Sequence, residues 1–205
     1  KRIFDPSQWS PGWEKINEIA TTHPVLAKVA PGIDKSDLEN WDARWISSDG
    51  DLVECFLSSA GSGIRSAVLI DSKNNSSIEL LGDTATISAP LGDYLVVPDP
   101  ALIRASALDA VAQLCNGGLV NEHIAWLTTS DADAVLKLSK HSPGLANILQ
   151  IESHFKFSDK QLAASLKGVA LSGVTVMTRG MQLDVEALRK AAVKASSSGN
   201  QELVI

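Results

Sequence analysis

The chain turns on the stretch from Tyr94 to Ala105, where a strand has to stop and a helix has to start within a few residues. Tyr94-Leu95-Val96-Val97 is short, apolar and rich in β-branched and aromatic types, which suits a buried strand. Pro98 cannot donate to a sheet ladder and ends it. Asp99 precedes a proline, which drives its backbone out of the helical region, as an N-cap requires. Pro100 fits the first helical position, where a missing N–H costs nothing. Ile103, Ala107, Val111 and Leu114 continue at helical spacing and predict one helix from Asp99 to Leu114.

Length bounds what surrounds this junction. A chain of 205 residues holds one or two domains and can bury a real core. Its 44% hydrophobic and 20% charged content is that of a soluble globular protein, and no run is long and apolar enough for a bilayer. The N-terminus has no apolar signal segment. Cys55 and Cys115 sit far apart among apolar neighbours and read as buried thiols rather than a disulfide. The expected location is the cytoplasm. The chain begins at Lys1 rather than Met, with no initiating turn or cap, and reads as a piece of something longer.

The elements change character along the chain. Ser10-Pro11 predicts the start of a helix carrying Trp13, Ile16, Ile19 and Ala20. Val25–Ala30 is nearly all apolar, the pattern of a strand covered on both faces in a parallel sheet, and Pro31-Gly32 stops it. Arg44–Ser47 and Leu52–Leu57 flank Asp49-Gly50, a hairpin signal. Ser66–Ile70 and Ile78–Leu81 are further strands, with a weaker one around Thr86-Ile87. An α/β beginning that runs into antiparallel strands is how a mixed sheet finishes at one edge. Beyond the junction the expected order is a strand at Ile124–Thr128, a helix from Asp131 to His141 and a strand from Ile148 to Phe157. A capping box comes next at Ser158 to Gln161, with Leu162 and Leu166 facing inward, then a strand at Val174–Met177. Asp184 caps a helix through Ala195, Gly199 breaks it, and Glu202–Ile205 is a last short strand.

Self-contained chemistry is hard to find in these residues. His23, His123, His141 and His154 are scattered, none at metal-ligand spacing with another His or Cys, so no metal site is expected. There is no Gly-x-Ser-x-Gly elbow and no phosphate-cradling loop, and Gly61-Ser62-Gly63 reads as a plain turn. Arg104, one turn into the junction helix, can pair with Asp99 or bind an anion. No catalytic residue is assigned. Charge is shared unevenly: Lys1–Asn147 holds 11 Lys/Arg against 19 Asp/Glu, whereas Ile148–Ile205 holds 7 against 5. Arg189, Lys190 and Lys194 lie on or beside the outer face of the last helix, and Arg179 comes directly after a strand. Such a surface attracts a phosphate backbone. Glu186, four residues before Lys190, offers the structural use of the same charge. With Lys156, Lys160 and Lys167, these arginines and lysines are the cations of the C-terminal segment, and no aromatic interleaving, which would suggest base stacking, is read among them.

Six motifs in sequence order say more. They are Arg2–Pro6 with Trp9-Ser10-Pro11, Lys28-Val29-Ala30-Pro31-Gly32-Ile33, Trp45–Ser47 with Gly50–Glu54, Pro98–Ala105, Ile124–Thr128 and Thr178-Arg179-Gly180. In this order the chain resembles the bacterial class I S-adenosylmethionine-dependent methyltransferases that carry a THUMP-like C-terminal domain. The resemblance covers almost the whole chain. It implies that residues 1–90 are the C-terminal portion of a Rossmann-type methyltransferase sheet, mixed in strand direction. Residues 91–205 would form a small α+β ferredoxin-like segment plus the THUMP-like domain.

The resemblance also implies an absence. The Gly-rich loop, the ribose-binding acidic residue and the motif at the presumed catalytic edge would all lie upstream of Lys1. S-adenosylmethionine is therefore expected in the intact protein and not in this stretch, which would complete the fold and present substrate, with RNA as the substrate class. Lys28, Pro31 and Gly32 lie at or near the C-terminal end of a strand, where ligands bind in open α/β sheets, although Pro31-Gly32 also serves as a simple turn. With Arg179, Arg189, Lys190 and Lys194 they are the candidate substrate- or RNA-binding residues. A non-catalytic RNA- or ligand-binding module is the alternative. No membrane partner is expected, and an exposed sheet edge would let copies dimerise.

Overall fold

The computed structural model describes residues 8–82, 85–178 and 182–205. It divides into two units, Lys1–Ile148 and Leu149–Ile205. Residue 90, where the sequence reading places a boundary, lies between the two sheets of the first unit, and one continuous set of buried side chains runs from Ile33 and Trp45 through Val96, Leu102 and Val111 to Leu145.

In the first unit, α1 (Trp13–Ala20) precedes β1 (Leu26–Val29). The helix starts later than Ser10-Pro11 predicts, with Gly12 as its N-cap and no side-chain cap. After a 3-10 turn at Lys35–Leu38 come β2 (Asp42–Ser48), β3 (Asp51–Ser58), β4 (Arg65–Asp71) and β5 (Ser76–Leu81). They form a five-stranded sheet in the order β1-β3-β2-β4-β5. Only β2 and β4 run parallel; β1/β3, β2/β3 and β4/β5 are antiparallel. Asp49 (φ 53°) and Gly50 (φ 89°) both take the left-handed region, the requirement of the two-residue turn whose twist matches a hairpin. Asp42 orders the crossover from β3 to β4, its carboxylate accepting from the amides of Ser62 (2.9 Å) and Ile64 (2.8 Å).

The strand expected to be covered on both faces is a correction. β1 is an edge strand whose residues alternate between exposed and half-buried, with Leu26 68% exposed. Its apolar run reflects the open cleft beside it and not burial inside a parallel sheet.

The second sheet contains β6 (Tyr94–Pro98), β7 (Gly118–Asn121), β8 (Ile124–Thr129) and β9 (Ala146–Gln150), in the order β7-β8-β6-β9. β9 straddles the boundary between the units. β8 runs antiparallel to both β7 and β6, so the strand–helix–strand read across Tyr94–Thr128 is not a parallel crossover. The single helix predicted after Asp99 is two: α2 (Pro100–Ala105) and α3 (Leu108–Leu114). Ser106 takes left-handed dihedrals (φ 58°) between them, and the amide of Ala107 closes on the carbonyl of Leu102 at 2.9 Å. Ala101, Leu102 and Ala105 are buried, and α2 lies against β2 and β4. α4 (Ala132–Ser139) is capped by Asp131, whose carboxylate accepts from the amide of Ala134 at 2.9 Å.

The second unit is a small α+β layer. α5 (Asp159–Ser165), β10 (Ala170–Thr175), α6 (Val185–Ala195) and β11 (Ser197–Val204) come in that order. β10 and β11 pair in parallel, and α6 supplies the crossover that a parallel pair needs. Ser158 and Asp184 cap the two helices as the sequence predicts, accepting from Gln161 (3.2 Å) and Ala187 (2.9 Å). The core is Leu162, Leu166, Leu171, Val174, Leu188 and Ala192. The last strand starts earlier than Glu202, and Gly199, read as the residue that ends the helix, lies inside this strand. A Cβ there would stand 2.4 Å from the carbonyl oxygen of Ala170, so only glycine lets the two backbones approach.

Candidate substrate surfaces

The expected site residues fall in two places, one in each unit. In the first unit the sheet ends at β1, with no strand beyond it among the described residues. Beside this edge lies an open cleft of about 640 Å³. Trp9, Ile16 and Ile19 line it with Val25, Leu26 and Lys28 of the β1 region. Its walls are mostly apolar, which explains why Val25–Ala30 is apolar although it is not buried. Trp9 meets Trp13 edge-on, and Trp13 meets Trp41 at a tilt, with ring centroids 5.8 and 5.2 Å apart. The indole N–H of Trp41 donates to Asn17 Oδ1 at 3.0 Å, which fixes α1 against the 3-10 turn.

Lys28 stands in the cleft wall, 71% exposed, and its Nζ meets Glu54 Oε2 of β3 at 2.8 Å. Pro31 is buried, and its carbonyl accepts from the indole N–H of Trp45 at 3.1 Å. Gly32 sits in the turn that the amide of Ile33 closes onto the carbonyl of Ala30. The motif around Lys28 thus contributes one cation to the surface and a turn that holds the fully buried Trp45.

Asp99 is the buried carboxylate of this unit. It caps α2 through the amide of Ala101 (2.7 Å) and accepts from the hydroxyl of Ser47 on β2 (2.6 Å). Its own amide donates to the carbonyl of Leu145 at 2.9 Å. Burial pushes its carboxyl above the ordinary range, and the hydrogen bonds from Ser47 and Ala101 oppose that shift. These contacts are those of a cap and a clamp. Cys55 and Cys115 are buried free thiols, as expected, and burial raises the Cys55 thiol to about 12. No three His, Cys, Asp or Glu side chains gather to hold a metal among the described residues. Among the described residues, the lining of this cleft does not fit S-adenosylmethionine: it offers no carboxylate for the ribose hydroxyls, and its one charged side chain, Lys28, already faces Glu54.

In the second unit, Arg189, Lys190 and Lys194 stand on the exposed face of α6, opposite the buried Leu188 and Ala192. Glu186 pairs with Arg189 at 2.9 Å, not with Lys190 as the i, i+4 rule suggests. Among the described residues Lys190 and Lys194 enter no ion pair, so two cations one turn apart remain available. Arg179 lies outside the described residues. Sequence reasoning missed two aromatic side chains here. Phe155 and Phe157, each 38% exposed, flank the exposed Lys156 just before the cap of α5. Their period-2 spacing was the available signal, and it reads equally well as a strand.

The chain is similar in fold to a solved chain from Porphyromonas gingivalis described as a methyltransferase, with a TM-score of 0.64 over 100% of this chain and 54% of that one, at 17% identity. Residues 146–205, which include the whole second unit, match the family model described as THUMP domain-like. In two strains of Mycobacterium tuberculosis the chain is 25% identical, over 201 residues, to an uncharacterized S-adenosylmethionine-dependent methyltransferase. The match takes in 93% of this chain and 52% of the relative, so the chain spans about half the length of the curated relatives it matches. The chain is thus similar to S-adenosylmethionine-dependent methyltransferases and carries a THUMP-like segment, as its six motifs imply. No described helix is long and apolar enough to cross a membrane.

Proposed function

We propose that this chain is the sheet-completing and substrate-presenting part of an S-adenosylmethionine-dependent methyltransferase acting on RNA. The observation that carries the reading is the open edge of β1 with an apolar cleft beside it. An unpaired edge is a template for further strands, and an aliphatic wall next to it suits their side chains. Further strands of the methyltransferase sheet would add there, bringing the cofactor site with them. The division between residues 1–90 and 91–205 then separates the portion that extends that sheet from the accessory portion after it. Lys28 would face the seam, with Pro31 and Gly32 forming the turn that follows it, while Arg179, Arg189, Lys190 and Lys194 would meet the phosphate backbone.

Calorimetry tests the first half. The chain alone should show no binding of S-adenosylmethionine, and the same chain extended by the preceding coding sequence should bind it stoichiometrically. Tight binding to the chain alone overturns the proposal. A salt series of RNA affinity tests the second half. Changing Arg189, Lys190 and Lys194 to Glu should weaken binding and flatten its dependence on salt. Unchanged affinity takes RNA away from this surface. Extended protein that binds RNA without S-adenosylmethionine would favour a non-catalytic binding module instead.

A further inference from the structure

We infer that Phe155 and Phe157, with Lys156 between them, form a stacking strip for the bases of single-stranded RNA. The inference rests on the RNA reading and adds a different contact to it. Neither ring joins the core of the second unit, which is built from α5, α6 and β10. Both are exposed, in a segment from Ile151 to Phe157 that carries no helix or strand. Scattered exposed apolar side chains are ordinary, but two phenyl rings on either side of an exposed lysine are a specific arrangement. Unpaired bases are recognised by stacking on such rings while nearby cations hold the backbone.

A lysine between the rings and further lysines after them suit a polyanion, although Glu152 and Asp159 stand in the same stretch. The stretch downstream of Phe157 continues with Lys160 and Lys167, both exposed. Lys160 lies in the first turn of α5 and Lys167 just beyond its end. Asp159, between the strip and Lys160, lies in the first turn of α5, where the helix itself favours a carboxylate. A hydrophobic protein partner would need no such cations. A duplex would offer no free base faces to the rings.

The test compares a fluorescent 12-nucleotide oligouridine RNA with its duplex on the full chain. The unaltered chain should prefer the single strand. Phe155→Ala with Phe157→Ala should weaken that binding about ten-fold or more, and Phe155→Tyr with Phe157→Tyr should restore it. The salt slope should stay as it was in the Ala variant, because stacking releases no counterions, whereas Lys190→Glu with Lys194→Glu should flatten it. Circular dichroism should be the same for all variants. If the Ala pair binds the oligonucleotide as tightly as the unaltered chain, the strip is wrong while the RNA reading stands. If the Ala pair loses helical signal, or changes oligomeric state without changing affinity, the rings are structural and the inference falls. Failure of the unaltered chain to bind RNA at all removes both.

Discussion

The two units differ in what they leave open. Several charged groups of the first are tied to neighbours, Lys28 to Glu54, Arg44 to Glu79 at 2.9 Å, Asp42 to the crossover amides, and Asp71 to Asn74 and Ser142, although Lys73, Lys137 and Lys140 are exposed. Its open sheet edge, β1 with the cleft beside it, is mostly apolar. In the second unit Arg189 is paired, but Lys190 and Lys194 enter no ion pair among the described residues, beside a core of only six residues. On the proposed reading, the first unit would take further protein strands and the second a phosphate backbone. The difference in core size also matters. Trp45, Leu57, Leu102 and Leu127 are fully buried in the first unit, whereas the second closes over a two-stranded sheet, too few strands to stand without helices on it.

The largest expected effect breaks the first unit alone. Trp45→Ala removes a fully buried indole and the N–H that satisfies the Pro31 carbonyl, and should cost about 3–5 kcal/mol. Hydrogen exchange should then show lost protection in β2, β3 and β4 with that of α6 intact. If protection is lost equally in both units, they unfold as one and the comparison fails. The counterpart is Leu188→Ala, at about 2–3 kcal/mol. Small cores have little stability to lose. This variant should therefore melt α5 and α6 at room temperature while leaving the sheet of the first unit protected.

These variants also show what was legible beforehand. Caps and turns were readable because their signals are local: Asp99, Ser158 and Asp184 each accept from amides a few residues on. Asp49-Gly50 makes the predicted turn for the same reason. What covers an apolar residue was not readable. Val25–Ala30 and the Phe155 and Phe157 pair both have strand-like patterns, yet one forms the open edge of a sheet and the other lies outside any sheet. The break at Ser106 was hidden because α2 and α3 bury Leu102, Ala105 and Val111 at spacings that one helix would also give. β7 was missed because Asn116-Gly117-Gly118 stops α3 and starts a strand at the same glycine. The candidate site residues were legible as cations and a turn, but their surroundings, above all the cleft, needed the fold.

A smaller effect tests whether Asp99 is a clamp of the first unit. Asp99→Ala removes the cap of α2 and leaves the hydroxyl of Ser47 without its acceptor, at a cost of about 1–2 kcal/mol in denaturant melts. Asp99→Asn keeps an acceptor oxygen and removes a charge whose burial is unfavourable, so it should cost under about 1 kcal/mol. An Asn variant as unstable as the Ala variant would mean that the ionised carboxylate itself matters.

The least effect is a pH dependence in which two aspartates of the first unit act in opposite directions. Burial raises Asp99 above its ordinary 3.8, so the fold favours its protonated form. Its contribution to stability therefore grows as pH falls through the folded value towards 3.8, and is constant below that. Asp71 behaves in reverse. The side chains of Asn74 and Ser142, with backbone amides of the turn, hold it down to about 2. Its contribution is complete above 3.8 and is lost as pH falls from there to about 2. Asp34, Asp49, Glu79 and Asp131 are also lowered and add to the same acid limb. Asp71→Asn should make stability fall less steeply below 3.8 and leave the region above it unchanged, because the two windows do not overlap. Urea midpoints measured from about pH 6 to about pH 2 on both proteins give the difference directly. An Asp71→Asn curve parallel to that of the unaltered chain below 3.8 would mean that Asp71 does not hold the β4–β5 turn to Ser142 in solution. The first unit would then have one polar tie fewer to set against the open cations of the second.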